Sequence, residues 1–303
     1  MARSVRLLKK HKTLYLLMLP GILYYLIFKY VPMYGIVIAF QDFSIGRGIL
    51  GSKFVGFKHF YEFFFNTPDA WKLIRNTIML NLYGLLFQFP APIILALLFH
   101  ELKFKWFKRF VQSVSYMPHF LSTVVIAGIM VTFLSPTTGI VNFLLVKWFG
   151  IEPILFLGLP EWFRTIYVGS EIWQGVGWGT ILYLAAIAGV DPTLYEAAKI
   201  DGANRFQQIR HITFIGMVPV MIILFVLNLG HFMEVGFQKI LLLYNSMNYE
   251  TSDVINTFVY RRGLLDADFS FATAVGLFQS AIGFVLVVTA NRIVRKYSDT
   301  SLW

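Results

Sequence analysis

Six separate stretches of about 20 or more mainly apolar residues, roughly 14–40, 76–99, 114–134, 166–189, 212–230 and 270–290, constrain this chain more than anything else in it. A helix needs about 20 such residues to cross the hydrocarbon of a bilayer, and the segments between these runs are too polar to cross it. Lipid is therefore the solvent for most of the chain. Composition agrees: mean hydropathy is +0.65, with 57% hydrophobic and 14% charged residues, outside the range of soluble domains. The expected fold class is an all-α, polytopic membrane protein with six transmembrane helices.

The first run opens like a secretory signal, with Arg3, Arg6, Lys9, Lys10 and Lys12 ahead of Leu14. It continues to Phe40 without a small-residue cleavage site, so it reads as a retained span. Lys29 and Pro32 predict that this span kinks or ends early, with Lys29 reaching toward a headgroup layer. Lys and Arg fix the orientation. The tail 1–13, the loops 100–113 and 190–211 and the tail 291–303 carry 15 of them in 62 residues, against 10 in 105 residues for segments 41–75, 135–165 and 231–269. The positive-inside bias puts both termini in the cytoplasm, and six spans agree. The long outer segments then suit recognition and the short inner ones coupling.

The formal charge of +10 lies beside the apolar runs, where lipid headgroups want it, and not in a nucleic-acid face. The absence of cysteine excludes disulfides, thiolate zinc sites and cysteine nucleophiles. Neither an internal repeat nor a composition break marks a second domain, so residues 14–290 read as one membrane domain between two tails. Trp71, Trp106, Trp148, Trp162, Trp173 and Trp303 fall near predicted span ends or in outer segments, as an interfacial aromatic belt does.

The connection between the fourth and fifth runs is the most informative segment, Asp191-Pro192-Thr193-Leu194-Tyr195-Glu196-Ala197-Ala198-Lys199-Ile200-Asp201-Gly202-Ala203-Asn204-Arg205-Phe206. Asp191 can cap a helix whose first residue is Pro192. Ala197 and Ala198 leave a face open to close approach, and Gly202 permits a turn before a second short helix. A knob of this kind, flanked by Glu196 and Asp201, suits insertion into a groove on another protein.

Glu196-Ala197-Ala198, then Asp201-Gly202-Ala203, then Ile212 opening the next span resemble the EAA loop of bacterial ABC importer permeases. In that family the loop is the coupling helix that docks into the ATPase subunit. Many members place a proline soon after the isoleucine, where this chain has Phe214-Ile215 and reaches proline at Pro219. Val55-Gly56-Phe57-Lys58-His59-Phe60, Asn76-Thr77, the segment from Asp266 to Gly276 and the ending from Asn291 to Trp303 are similar to the carbohydrate-import permeases, most of all the polysaccharide and complex-oligosaccharide branch.

The resemblance implies a type I importer permease in a bacterial plasma membrane, coupled to its ATPase through Glu196, Ala197, Ala198, Asp201, Gly202, Ala203 and Arg205. It implies a second, related permease chain, two ATP-binding cassette subunits that hold ATP and magnesium, an extracytoplasmic solute-binding protein, and an oligosaccharide cargo. No Gly-x-x-x-x-Gly-Lys-Ser/Thr loop occurs, so this chain itself is expected to hold no cofactor and to hydrolyse no ATP.

Polar groups inside a bilayer mark helix contacts or a pathway. Glu171, Trp173, Gln174 and Trp178 on the fourth run, and Asn228, His231 and Glu234 at the end of the fifth, are the candidate substrate contacts, since aromatic rings and hydrogen-bonding side chains suit a sugar path. The last three would share a face if the helix continues. Gly175, Gly177 and Gly179 would allow close helix packing, and Asn81, Gln88 and Gln279 would serve interhelical hydrogen bonds. An ion-coupled secondary transporter would need several embedded carboxylates, and only Glu171 qualifies. A membrane enzyme would cluster its histidines, whereas the six here, at 11, 59, 100, 119, 211 and 231, are scattered, so no catalytic residue or metal ligand is expected.

Overall fold

The computed structural model describes residues 12–297, so the first 11 residues and the last six, including Trp303 and most of the expected cytoplasmic tails, lie outside the described residues. The chain divides into two compact units, one formed by residues 1–67 and 259–278, the other by 68–258 and 279–303.

In the first unit, helix α1 (Lys12–Tyr25) passes into a wide π-turn at Leu26–Tyr30 and a tight 3₁₀ stretch at Val31–Phe40. The change of pitch brackets Lys29 and Pro32, where Pro32 lacks an N–H and its ring clashes with the carbonyl four residues back, but the segment runs on to Phe40 and does not end early as expected. Residues 12–34 are exposed throughout this 29-residue apolar segment. Strands β1 (Gln41–Asp42) and β2 (Lys53–Phe54) pair antiparallel. The unit is fastened by Lys58 on Asp42 at 2.8 Å, by Arg262 held between Glu62 and Asp268, and by Phe63 against Phe271 and Phe278.

The second unit opens with α2 (Ala70–Tyr83) and α3 (Pro90–Glu101), joined by a π-turn at Gly84–Gln88 into one 32-residue segment. Helices α4 (Lys105–Tyr116) and α5 (Thr123–Phe133) follow, and Met117–Phe120 between them is a 3₁₀ turn. The third predicted span, 114–134, is thus corrected: it is a broken element bent by 100°. Pro118 ends the first helix, and Ser122 starts the second by accepting the Val125 N–H. Helix α6 (Pro160–Ala188) contains nearly all of the fourth predicted span. A 69° bend then leads into α7 (Pro192–Ile200), α8 (Arg205–Gln208) and, through a π-turn at Ile209–Thr213, α9 (Phe214–Gly230). The short α10 (Phe237–Leu243) follows, and residues 279–297 of the long α11 (Phe269–Tyr297) belong to this unit. Among the described residues, four segments are long and apolar enough to cross a membrane alone, and up to six if each bent pair counts as one span.

Helix α6 is the axis of this unit. On one side Phe163, Tyr167 and Val168 pack with Leu80, Ile126, Met130, Ile240 and Leu243. Further along, Tyr183 and Ile187 pack with Ile93, Ala96 and Met217. A Cβ on Gly177 would run into the Ser115 carbonyl, and one on Gly179 would come within 2.9 Å of Pro92. Helices α4 and α3 therefore approach α6 closely at those two glycines, the small-residue packing that membrane helices favour. Nothing lies within 4 Å of such an atom on Gly175.

Candidate coupling loop and translocation cavity

The loop between α6 and α9 is built by its caps. Asp191 accepts the Thr193 N–H at 2.9 Å and Pro192 occupies the first helical position, so α7 starts where a missing N–H costs nothing. The Thr193 hydrogen bond holds the exposed Asp191 carboxyl below the ordinary aspartate value. Helix α7 ends in a Schellman turn: Ala203 donates to the Ala198 carbonyl at 2.8 Å and Gly202 to that of Lys199 at 3.1 Å. Gly202 sits at φ +78°, which glycine adopts without steric cost.

A second cap follows at once. Asn204 accepts the Gln207 N–H while the Gln207 side chain accepts the Asn204 N–H, a reciprocal capping box that starts α8. The helix, turn, helix read from the sequence is therefore present. Glu196, Ala197, Asp201, Gly202 and Arg205 are exposed and Ala198 and Ala203 half-buried. Leu194, Ile200 and Phe206 stand out beside them, Ile200 at 87% exposure. Sequence reasoning missed two parts of this element. The capping box was legible as Asn-x-x-Gln, whereas the bond from the Tyr195 hydroxyl to Thr213 at 2.9 Å, tying the loop to the next span, needed the fold.

Toward the other end of α6, two adjoining cavities share Gln88 and Gly175. One, of about 300 Å³, is lined by Asn81, Gln88, Asn228 and Phe232 among apolar neighbours. The other, of about 590 Å³, is lined by His119, Glu171, Gln174 and Lys239. Open space at Gly175 is thus cavity, not helix contact. Asn81 donates to Thr77 of its own helix and Gln88 faces both cavities, so the interhelical role expected of these two is corrected. Gln279 does bridge segments, donating to the Met233 carbonyl at 2.8 Å.

Lys239, which sequence reading passed over, is the chemical centre of the larger cavity. Only 2% exposed, it pairs with Glu171 and donates to Gln174 Oε1 at 2.9 Å. Gln174 in turn donates to the Leu121 carbonyl in the break between α4 and α5. A lone cation in the apolar string Phe237–Leu243 was the available signal. Trp178 stacks on His119 with ring centres 4.6 Å apart and planes 2° off parallel.

The remaining candidates separate. Trp173 is exposed and lines neither cavity. Helix α9 stops at Gly230, where His231 and Phe232 fold back onto the Asn228 and Leu229 carbonyls, so Asn228, His231 and Glu234 do not share a helix face. Glycine is a weak helix residue, and the tight turn satisfies the terminal carbonyls. Asn228 lines the smaller cavity, while His231 and Glu234 pair with each other at 3.0 Å, both exposed. Among the described residues no group of three or more His, Asp or Glu could hold a metal ion.

Comparison with known proteins places this architecture. The chain is 46% identical over 294 residues to the polygalacturonan/rhamnogalacturonan transport system permease protein YteP of Bacillus subtilis, covering 97% of this chain and 91% of that one. It is 45% identical over 296 residues to protein LplB of the same organism, covering 98% and 92%. A chain of a bacterial alginate ABC transporter, crystallised with an alginate pentasaccharide-bound periplasmic protein, superposes with TM-score 0.90 at 43% identity, covering 98% of this chain and 99% of that one. Residues 88–299 match the model of the binding-protein-dependent transport system inner membrane components. The chain belongs to that family: it is a multi-pass permease subunit of an ABC importer in the bacterial cell membrane, built for transport and not for catalysis.

Proposed function

We propose that this permease carries an oligosaccharide, brought by an extracytoplasmic binding protein, through the cavities beside α6. ATP closure would drive it at the loop Asp191–Gln208. Both termini face the cytoplasm in this reading, and residues 190–211 form the coupling segment. Two ATP-binding cassette subunits hold ATP and magnesium, and a second, related permease completes the channel. The observation that carries the proposal is the loop itself, an exposed knob locked by an Asp191 cap, a Schellman turn and a capping box, with Glu196 and Asp201 at its surface. A part that must transmit motion has to resist deforming, and these caps fix it.

The cargo reading rests on the cavities, where Asn81, Gln88, Gln174 and Asn228 offer amides and His119, with Trp178 stacked behind it, offers a ring to a sugar. Relatives named for polygalacturonan, rhamnogalacturonan and alginate extend it to uronate-containing chains. An ion-coupled carrier is disfavoured because Glu171, the carboxylate it would use, is paired with Lys239.

The test is reconstitution of the chain with its ATPase, partner permease and binding protein, scoring ATP hydrolysis against a panel of neutral and acidic oligosaccharides. Stimulation by loaded binding protein, abolished by Glu196→Lys without loss of membrane insertion, is expected. Uptake that runs on an ion gradient without ATP would refute the proposal.

A further inference from the structure

A third cavity lies on the side of the coupling loop that faces the ends of the spans. It measures about 340 Å³, and His100, Tyr195, Lys199, Arg205 and Gln208 line it, with an apolar wall of Ile187, Ala188 and Val190. His100 is one residue from the end of α3, and Ala188 ends α6. The cavity thus sits where α3 and α6, both parts of candidate membrane spans, terminate.

Its charges have an ordinary explanation, because cations at helix C-termini complement the macrodipole. Gln208 does not fit that explanation. This residue is 95% buried, given its exposure of 5%. Its amide nitrogen donates to the Ala203 carbonyl at 2.9 Å, which fixes the orientation of the amide. Its Oε1 then points the other way and has no hydrogen-bond donor. A buried acceptor left unpaired is costly, so a donor brought by a ligand would be favoured there. The neighbouring cations leave it unsatisfied: Arg205 stands 3.9 Å from Glu101, and Lys199 makes no ion pair among the described residues. The cavity therefore offers two cations and an apolar wall, with a buried, unpaired acceptor on one of its lining residues.

We propose that it binds the headgroup of an inner-leaflet phosphatidylglycerol. The phosphodiester would sit on Lys199 and Arg205, a glycerol hydroxyl would donate to Gln208 Oε1, and the acyl chains would leave past Ile187 and Val190. Basic pockets between spans take anionic headgroups in this way, and a phosphate alone would leave the apolar wall unused. The lipid bridges the coupling loop and the end of α3, so its presence stiffens the element that the ATPase moves. The proposal is independent of the cargo.

The test uses the complete importer complex, delipidated in detergent and titrated with phosphatidylglycerol, with retained lipid counted by native mass spectrometry. One retained lipid per copy of this chain is expected, with phosphatidylcholine not retained. Lys199→Gln, an exposed change that leaves the fold alone, and Gln208→Leu should each weaken retention about five- to tenfold. Wild-type retention in both variants would overturn the proposal. Displacement by excess inorganic phosphate would show a small-anion site and overturn the lipid assignment. Lipid retained only after the ATPase is stripped away would mean the cavity belongs to the ATPase interface, and would also overturn it.

Discussion

Replacing Gly202 separates a conformational requirement from a steric one. The residue holds φ +78° at the turn that closes α7, yet a Cβ there would meet nothing within 4 Å. A larger side chain is therefore opposed by backbone strain and not by a clash within this chain. An L-residue in the left-handed region costs about 1–2 kcal/mol, and asparagine tolerates it better than alanine or a β-branched residue. A strained loop relaxes when free and must re-form its Schellman turn to dock, so the strain should surface as lost ATPase affinity, about 5- to 30-fold. Binding of the purified ATPase to vesicles carrying this chain and its partner permease measures it. The expected order is Gly202, then Gly202→Asn, Gly202→Ala and Gly202→Val, with uptake falling in step. Ranking by side-chain volume instead, asparagine worse than alanine, would refute the strain argument. Full uptake by Gly202→Trp would remove the loop from the coupling mechanism altogether.

Three further outcomes follow from single sites. Lys239→Met leaves Glu171 without its partner in the larger cavity and should destabilise the protein by roughly 3–5 kcal/mol, whereas Lys239→Met with Glu171→Leu should recover most of it. Thermal unfolding of all four members of the cycle in detergent measures the coupling, and additivity would contradict the pairing. Asn142, 2% exposed, donates to the Leu134, Ser135 and Ile154 carbonyls and accepts the Ile154 N–H, so Asn142→Ala should cost about 2–4 kcal/mol in the same assay. Asp191 is held below its ordinary pKa by the Thr193 N–H, so its capping contribution is complete at neutral pH and is lost only as pH falls through that lowered value. Amide exchange at Leu194–Ala198 should therefore match between wild type and Asp191→Asn at pH 7, and rise in wild type alone in strong acid.

The spans and the candidate coupling loop were legible because their physics is local. Runs of apolar residues have one solution in lipid, and Asp191, Pro192 and Gly202 each carry a backbone preference that acts within four residues. The failures are non-local or concern where a helix stops. Met117–Ser122 lies inside an unbroken apolar run, and hydropathy is blind to a 100° bend that Pro118 makes and Ser122 caps. The end of α9 at Gly230 divided three residues whose spacing suggested one face. Lys239 escaped local reading because Glu171, which neutralises it, and Gln174, which accepts its hydrogen bond, are 68 and 65 positions away in sequence, beyond any local pattern.

One continuous element connects the two halves of the proposed mechanism. Residues Arg205–Gly230 form a 26-residue helical segment, about 39 Å long at 1.5 Å per residue. Its first turn is fixed by the Asn204 capping box beside the coupling loop, and its last turn carries Asn228 into the smaller cavity. The Tyr195 hydroxyl on Thr213 ties α7 to this segment eight residues in, so α7 and the base of the helix move together. The wide turn Ile209–Thr213 lies below that tie and is spanned by it, and the deformable point above it is Pro219, which cannot donate to the Ile215 carbonyl. In the proposed mechanism a push on the loop would be delivered rigidly up to Thr213 and would then bend the helix at Pro219, turning the cavity end. Coupling by this route depends on stiffness below Pro219 and compliance at it, which is why the caps cluster at one end of the segment and the proline lies within it.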